Sequence, residues 1–96
     1  MSGCELIAEE RARQVSSEGW TAEHDDAHKD GELAVAAAIY AAPGYERSNK
    51  PRVRGAIIQF WPWDMSWWKP CRDNRVRELV KAGALIAAEI DRLQRT

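Results

Sequence analysis

Residues 73–95, DNRVRELVKAGALIAAEIDRLQR, carry the strongest structural signal in the chain. Apolar side chains recur there at alternating steps of three and four residues, the spacing of one face of an α-helix. Asp73 or Asn74 can cap this helix. We expect the apolar stripe to pack against a second helix of the same chain, although its length of about three heptads leaves a homo-oligomer open as the alternative. The stripe consists of Val76, Leu79, Gly83, Ile86, Ile90 and Leu93.

The N-terminal segment also predicts a helix, over residues 4–18. Residues at steps of three and four share one face, which we expect to be the packed face. Gly19 can end this helix, and Thr21 can cap a short turn after it. The shared face holds Cys4, Ile7 or Ala8, Arg11 or Ala12, and Val15.

Residues 31–42, GELAVAAAIYAA, predict a helix that is apolar nearly all round. Such a helix belongs in the centre of a domain. Asp30 can cap its start, and Pro43 with Gly44 ends it. The sequence therefore predicts a mainly α fold, a small three-helix domain that spans residues 1–96.

A long segment without a helical period, residues 43–70, separates the last two helices. We expect an irregular, tryptophan-rich arm, and so long a loop in a small domain is usually functional. The run AIIQFW, residues 56–61, has β propensity. A short hairpin within residues 43–60 is therefore the alternative to a fully irregular arm.

The formal net charge of −1 gives no overall positive field, so we expect no long nucleic acid as a partner. The charge is nevertheless unevenly placed. Residues 23–32 are acidic, and the arm carries a cluster of cations that could meet a phosphate. These cations are Arg47, Lys50, Arg52 and Arg54.

Cysteine content and hydropathy predict a cytoplasmic protein without a membrane partner. Cys4 and Cys71 are expected to be free thiols, because the charged N-terminus shows no signal-peptide core. The longest apolar run, LAVAAAIYAAP, is too short to span a bilayer.

Four of the five tryptophans lie in QFWPWDMSWWKP, residues 59–70. One interpretation is that all four fill a core otherwise rich in alanine, because each ring can bury roughly 150–250 Å². The other is that they divide their roles, with Trp61 and Trp63 inward and either Trp67 or Trp68 lining a pocket. Neighbouring side chains of an extended or turn segment point in different directions, which favours such a division.

The residues that we predict to bind a ligand combine these rings with nearby charge. An exposed ring can stack a nucleobase, and Lys69 and Arg72 follow closely enough in the sequence to reach its phosphate. The carboxylates of residues 23–32 could hold a ribose or a cationic group. The predicted ligand-binding residues are Trp20, His24, Asp25, Asp26, Trp63, Trp67, Trp68, Lys69 and Arg72.

The acidic segment EHDDAHKDGE, residues 23–32, offers a divalent metal site as an alternative. His24 and His28 share one helical face, and Glu32 continues it one turn later. Two imidazoles and a carboxylate are a known ligand set for zinc, iron or manganese. The motif H-E-x-x-H is absent, however, and the aspartates could simply cap helices while the histidines form structural hydrogen bonds. We expect no other cofactor.

Three motifs resemble a family of short proteins found in bacterial phages and prophages. They are EGWTAEHDD-H-DGELA-AAA-YA, WPWD-SWWKP and R-LVKAGALIAAEIDRLQR. The resemblance covers nearly the whole chain apart from residues 43–58. It implies a phage origin and an intact small fold, and it implies no particular reaction.

A shorter stretch, residues 10–31, is similar to the start of ryanodine-receptor-type repeat domains. Those domains continue into a proline-containing loop, whereas this chain continues with ELAVAAA. Bacterial domains of this type occur beside nucleotide-signalling systems, so the similarity implies a nucleotide-related ligand. The shared pattern is carried by Glu18, Gly19, Trp20, Thr21, Asp25, Asp26 and Lys29.

These patterns favour a binding protein over an enzyme, because the chain has no evident nucleophile–base pair and no strong metal motif. We expect a phage-derived protein that sequesters a nucleotide-like ligand or signal in the host cytoplasm and counters host defence. One alternative is an inhibitor that docks on a host enzyme or defence protein through its tryptophans, since Trp and Arg are favoured hot-spot residues. A further alternative is a metal-dependent nucleotide hydrolase.

Overall fold

The fold is mainly helical, as the sequence predicted. The structure is a computed structural model that describes residues 1–42 and 57–96. Neither range contains a β-strand. The described elements are α1 (Gly3–Ser17), α2 (Ala22–Asp26), α3 (Glu32–Ala41), α4 (Arg75–Gln94) and two short 3-10 helices, Ile57–Phe60 and Met65–Trp67.

Local hydrogen bonds explain where α1 begins and ends. The Glu5 N–H donates to Ser2 Oγ at 3.2 Å, and the Ser2 N–H donates to Glu5 Oε1 at 3.0 Å. This reciprocal capping box has the sequence signature S-x-x-E, which our sequence analysis did not use. Gly19 follows the helix with a φ of +71°, a conformation that glycine adopts without steric cost, so the predicted stop is confirmed.

For the other three helices, two of the predicted capping residues are confirmed and one is not. Thr21 Oγ1 accepts from the His24 N–H at the start of α2, and Asn74 Oδ1 accepts from the Arg77 N–H at the start of α4. The prediction that Asp30 caps α3 is wrong. Gly31 occupies that position with a φ of +85° and has no side chain to donate or accept.

The core lies between α3 and α4 and is built largely from alanine. Small side chains let the two helices approach closely, and Trp61, Trp63 and Trp68 then pack against the cluster from one side. The rings supply the apolar area that alanine cannot. The buried cluster comprises Leu33, Ala36, Ala37, Tyr40, Ala82, Leu85 and Ala88.

The helix at residues 75–94 uses a different face from the one that the sequence predicted. The stripe of large aliphatic residues was expected to pack on α3, and this expectation is wrong. Instead the neighbouring face, with its alanines and Leu85, meets α3, because small side chains allow the closer approach. The stripe stays near half exposed: Val76 60%, Leu79 46%, Ile86 47%, Ile90 51% and Leu93 54%.

The helix α1 also packs through an unexpected face. Cys4, Ala8, Ala12 and Val15 of the predicted packed face are exposed, whereas Glu10 and Gln14 are buried. Ile7 and Arg11 behave as expected: the side chain of Ile7 lies over Gly83 of α4, and Arg11 is partly buried against Asp25. The polar face can be buried because its charges are paired.

The paired charges link α1 to the rest of the domain. Glu10 accepts from Arg13 at 2.7 Å and 2.9 Å and from the Gln14 amide at 3.1 Å, and it pairs with Arg77 of α4 at 2.8 Å. Burial opposes ionisation of Glu10, but hydrogen bonds from Arg13, Arg77 and Gln14 outweigh it and lower the pKa to about 2. Arg11 reaches the buried Asp25 of α2 at 2.9 Å.

The described part of the arm corrects the β prediction. Ile57–Phe60 forms a 3-10 helix rather than a strand, and its Ile58 is buried at 1% exposure. The cluster of cations and the rest of the hairpin alternative, which was placed within residues 43–60, fall in residues 43–56 and lie outside the described residues. Cys4 and Cys71 are free thiols, as expected. No helix of the described ranges combines the length and hydropathy of a membrane-spanning segment.

Candidate functional site

An aromatic pocket with a volume of about 370 Å³ opens where α2 meets the arm. Trp20 reaches it from the turn after α1, and His24 and His28 reach it from α2 and the link that follows. The arm supplies the opposite wall. We refer to this cavity as the aromatic pocket; it is lined by Trp20, His24, His28, Trp63, Asp64 and Trp67.

The rings of the pocket form part of a continuous array. The His24 ring stacks on Trp20 with a centroid distance of 5.6 Å and an interplanar angle of 1°. The His24 and His28 rings pack edge to face with a centroid distance of 4.9 Å, and the centroids of the His28 and Trp63 rings lie 5.2 Å apart. Trp63 then meets Trp61 at 5.5 Å. Each ring of the array therefore packs against the next and helps to position it.

The inner end of the array is anchored in the core. Trp61 and Trp68 contact each other at 5.1 Å, and both contact Tyr40 of α3. The Tyr40 hydroxyl accepts from the backbone N–H of Lys69, which fixes the chain just after Trp68. Trp67 remains 50% exposed. The prediction that Trp67 and Trp68 divide between surface and core is therefore confirmed.

A capped 3-10 helix turns Trp67 outward. Asp64 Oδ1 accepts from the Ser66 N–H at 2.9 Å and caps the helix Met65–Trp67. Hydrogen bonds from the side chain and backbone of Ser66 lower the pKa of Asp64 below its usual range. Asp64 therefore lines the pocket as a carboxylate at neutral pH. Our sequence analysis had assigned it no role at the site.

Each histidine of the pocket is oriented by a carboxylate through Nδ1. His24 Nδ1 lies 3.1 Å from Asp25 Oδ1, and His28 Nδ1 lies 2.9 Å from Glu32 Oε2. Burial opposes ionisation of Glu32, but hydrogen bonds from His28 and from backbone N–H groups prevail and lower its pKa. These contacts fix both rings and leave Nε2 of each as the remaining nitrogen.

The metal alternative receives no geometric support from this arrangement. Across residues 1–42 and 57–96, no three His, Cys, Asp or Glu side chains come together as a metal-binding group. His28 and Glu32 are in contact, but through a direct hydrogen bond. His24 engages Asp25 in the same way.

A smaller cavity of about 60 Å³ adjoins the aromatic pocket and shares Trp20 and Trp67 with it. We refer to it as the cationic cavity, because Lys69 and Lys81 line it together with Arg13. Glu10 and Glu18 line it as well, and both pair with Arg13. Lys69 Nζ lies over the Trp67 ring, 5.6 Å from its centroid. Lys81 Nζ donates to the Lys69 carbonyl at 2.9 Å. Within the described ranges, neither ammonium forms an ion pair.

Several predicted ligand-binding residues meet at this site and others do not. Trp20, His24, Trp63 and Trp67 line the aromatic pocket, and Lys69 lines the cationic cavity. The remaining four lie elsewhere. Asp25 is buried behind His24, Asp26 pairs with Arg95 at 2.8 Å, Trp68 packs on the core and Arg72 is exposed without lining either cavity.

Our sequence analysis missed a further group of lining residues. His28 was considered as a metal ligand or as a source of structural hydrogen bonds, and not as part of a ligand pocket. Asp64 could have been assigned from the pattern D-x-S, in which a carboxylate caps the turn beside an exposed tryptophan. Arg13 and Lys81 line the cationic cavity from α1 and α4, two helices that are distant in sequence, so no local sequence pattern predicts that they meet.

Comparison of the chain with models of protein families, with curated proteins and with solved structures gave no significant match.

Proposed function

We propose that this protein binds and sequesters a nucleotide-like ligand, with the base in the aromatic pocket and the phosphate at the cationic cavity. The observation that carries the proposal is the sharing of Trp20 and Trp67 by the two cavities. A ligand that is flat at one end and anionic at the other matches this pairing. Nucleotides combine those two properties.

The aromatic pocket suits a planar base. Stacking on an aromatic side chain contributes about 1–3 kcal/mol per base in single-strand binders. The volume of about 370 Å³ falls within the usual range of small-molecule sites. Because Asp64 is ionised, it accepts hydrogen bonds and favours a base that presents N–H donors.

The cationic cavity suits a phosphate. The ammonium groups of Lys69 and Lys81 form no ion pair within the described ranges, so a phosphate would not have to displace a carboxylate from either. Arg13 is already paired with Glu10 and Glu18, which line the same cavity, so the phosphate would be held by the two lysines. A charge-assisted hydrogen bond from either lysine would fix the phosphate end of the ligand.

The biological role that we propose follows from the family resemblance. A phage protein that holds a host nucleotide signal without converting it lowers the free concentration of that signal and so counters host defence. Sequestration in this sense requires the ligand to be released intact. Chromatography of the ligand after incubation with the protein distinguishes this role from hydrolysis, because hydrolysis yields products and sequestration does not.

Isothermal titration calorimetry with a panel of mono-, di- and cyclic nucleotides tests the proposal. We expect at least one nucleotide to bind and Trp67→Ala to weaken its binding by about 5- to 150-fold, the equivalent of the lost stacking energy. Phe60→Ala is the matched control, because Phe60 is a 64% exposed aromatic of the same arm that lines neither cavity. The absence of binding by every nucleotide refutes the proposal.

A protein target is the second candidate, and two exposed rings favour it. Phe60 and Trp67 expose 64% and 50% of their surfaces, and large aromatic side chains often act as anchors in interfaces. The same two variants separate the candidates. A protein interface that includes both rings would lose affinity with Phe60→Ala as well as with Trp67→Ala, whereas the nucleotide site would lose it with Trp67→Ala alone.

A further inference from the structure

Asp64 is held in the wall of the aromatic pocket at both its backbone and its side chain. Its carbonyl oxygen accepts from the Trp67 N–H at 3.0 Å and from Trp61 Nε1–H at 3.1 Å. Its Oδ1 accepts from the Ser66 N–H at 2.9 Å. These bonds position the carboxylate next to the half-exposed Trp67, which lines the same pocket.

The Asp64 carboxylate keeps hydrogen-bonding capacity for a ligand. An ionised carboxylate offers about four acceptor sites. Within the described ranges, Ser66 supplies its hydrogen bonds through the backbone N–H and the side chain, and these bonds lower the pKa of Asp64. About two acceptor sites therefore remain. No cation in the described part of the chain forms an ion pair with Asp64.

We propose that the aromatic pocket prefers guanine to the other nucleobases, a preference that rests on the proposed nucleotide binding, and that Asp64 accepts hydrogen bonds from the Watson–Crick edge of the base. A base stacked on Trp67 presents an edge to Asp64, because the two residues line one pocket and belong to the same short turn. Guanine has two adjacent donors on its Watson–Crick edge, N1–H and the 2-amino group. A carboxylate can accept from both at once.

The other bases lack this pair of donors. Adenine and cytosine each present one amino group next to a ring nitrogen that accepts, and uracil presents one N–H between two carbonyl oxygens. The ionised Asp64 accepts but cannot donate, so one of its oxygens would face an acceptor of these bases. Such a repulsive contact lowers the affinity for the wrong ligand and so produces specificity.

The charges of the site orient the ligand in the same way. Asp64 lines the aromatic pocket and not the cationic cavity, whereas Lys69 and Lys81 line the cationic cavity and not the aromatic pocket. A negative charge at one end repels a phosphate, and the lysines at the other end attract it. The base therefore lies beside Asp64 when the phosphate lies beside the lysines.

Isothermal titration calorimetry with matched bases tests the preference. The form of nucleotide that binds, whether mono-, di- or cyclic, is compared as its guanine, hypoxanthine and adenine versions. Hypoxanthine keeps the N1–H of guanine and lacks the 2-amino group. We expect the guanine version to bind about 10- to 150-fold more tightly than the hypoxanthine version, the effect of one hydrogen bond to a charged group. The adenine version should bind more weakly than either.

Asp64→Asn tests whether the carboxylate causes the preference. The asparagine oxygen can still accept from the Ser66 N–H and cap the turn, whereas its NH₂ group cannot accept from the base. We expect this variant to bind the guanine version about 10- to 150-fold more weakly and the adenine version no more weakly than the wild type does. Asp73→Asn is the matched control. It removes the same charge from an exposed residue that lines neither cavity, and it should leave the order of the bases unchanged.

The outcomes separate the guanine preference from nucleotide binding itself. Equal affinity for the guanine and hypoxanthine versions, or tightest binding of the adenine version, overturns the preference and leaves nucleotide binding in place. A guanine preference that Asp64→Asn retains overturns the role of Asp64. The absence of binding by every nucleotide refutes the proposed function, and the guanine preference with it.

Discussion

Trp67 and Trp68 are neighbours with different environments, and the difference arises from two local constraints. The cap that Asp64 provides starts the 3-10 helix in front of Trp67, and the hydrogen bond from the Lys69 N–H to the Tyr40 hydroxyl holds the chain behind Trp68. The first constraint is local in sequence. The second depends on a residue of α3, so the sequence predicts that the pair divides but does not tell which ring is exposed.

Glu10 is a buried residue whose charge contributes to the stability of the fold. Its pKa is about 2 in the folded protein, below the ordinary value of 4.5. Because its pKa is lower in the folded protein, ionised Glu10 stabilises the folded state at pH values above the ordinary pKa of 4.5. This stabilisation is lost as the pH falls from about 4.5 towards 2. The shift corresponds to about 3 kcal/mol.

We predict that Glu10→Gln lowers the free energy of unfolding by about 2–3 kcal/mol at pH 7 and has little effect near pH 2. Urea denaturation at several pH values measures this. The control is Glu9→Gln, because Glu9 is its exposed neighbour and should tolerate the change at every pH. A destabilisation by Glu10→Gln that is the same at pH 7 and pH 2 would show that its ion pairs do not stabilise the fold.

At the scale of elements, the sequence predicts where helices lie better than which faces they bury. The periodicity of α4 and the caps Thr21 and Asn74 are local signals, and the structure bears them out. The packed faces of α1 and α4 were predicted incorrectly. The face of α4 that meets α3 carries small residues, so its burial depends on close approach by another helix, which periodicity does not encode. The burial of Glu10 depends on its ion pair with Arg77, which is distant in sequence, so local patterns do not predict it.

The contact between α1 and α4 at Gly83 gives a prediction about the size of the side chain that position 83 can accept. A Cβ built at Gly83 would lie only 2.7 Å from Ile7 Cγ1, so that Gly83→Ala requires Ile7 to move. We predict that Gly83→Ala destabilises the wild-type chain. In an Ile7→Ala background the clash is absent, and there Gly83→Ala should stabilise by about 1 kcal/mol through its better helix propensity.

A double-mutant cycle with urea denaturation of all four proteins checks this opposite response. Equal effects of Gly83→Ala in both backgrounds would mean that Ile7 does not cover Gly83.

At the scale of the whole molecule, the site is assembled from parts that are distant in sequence. Sequence reasoning found the aromatic residues, since tryptophans and prolines stand out in QFWPWDMSWWKP. It could not find the cationic cavity, because Arg13 of α1, Lys69 of the arm and Lys81 of α4 meet only once the helices have packed. It also placed Arg72 at the site on sequence proximity alone, although Arg72 lines neither cavity.

The five tryptophans give the most direct test of the account, because each indole N–H has its own signal in a proton–nitrogen NMR spectrum. Single Trp→Phe variants assign these signals, and a nucleotide is then titrated into the wild type. We predict that the signals of Trp20, Trp63 and Trp67 shift with the ligand, while those of Trp61 and Trp68 in the core shift little. No shift with any nucleotide, or shifts confined to Trp61 and Trp68, would contradict binding in the aromatic pocket.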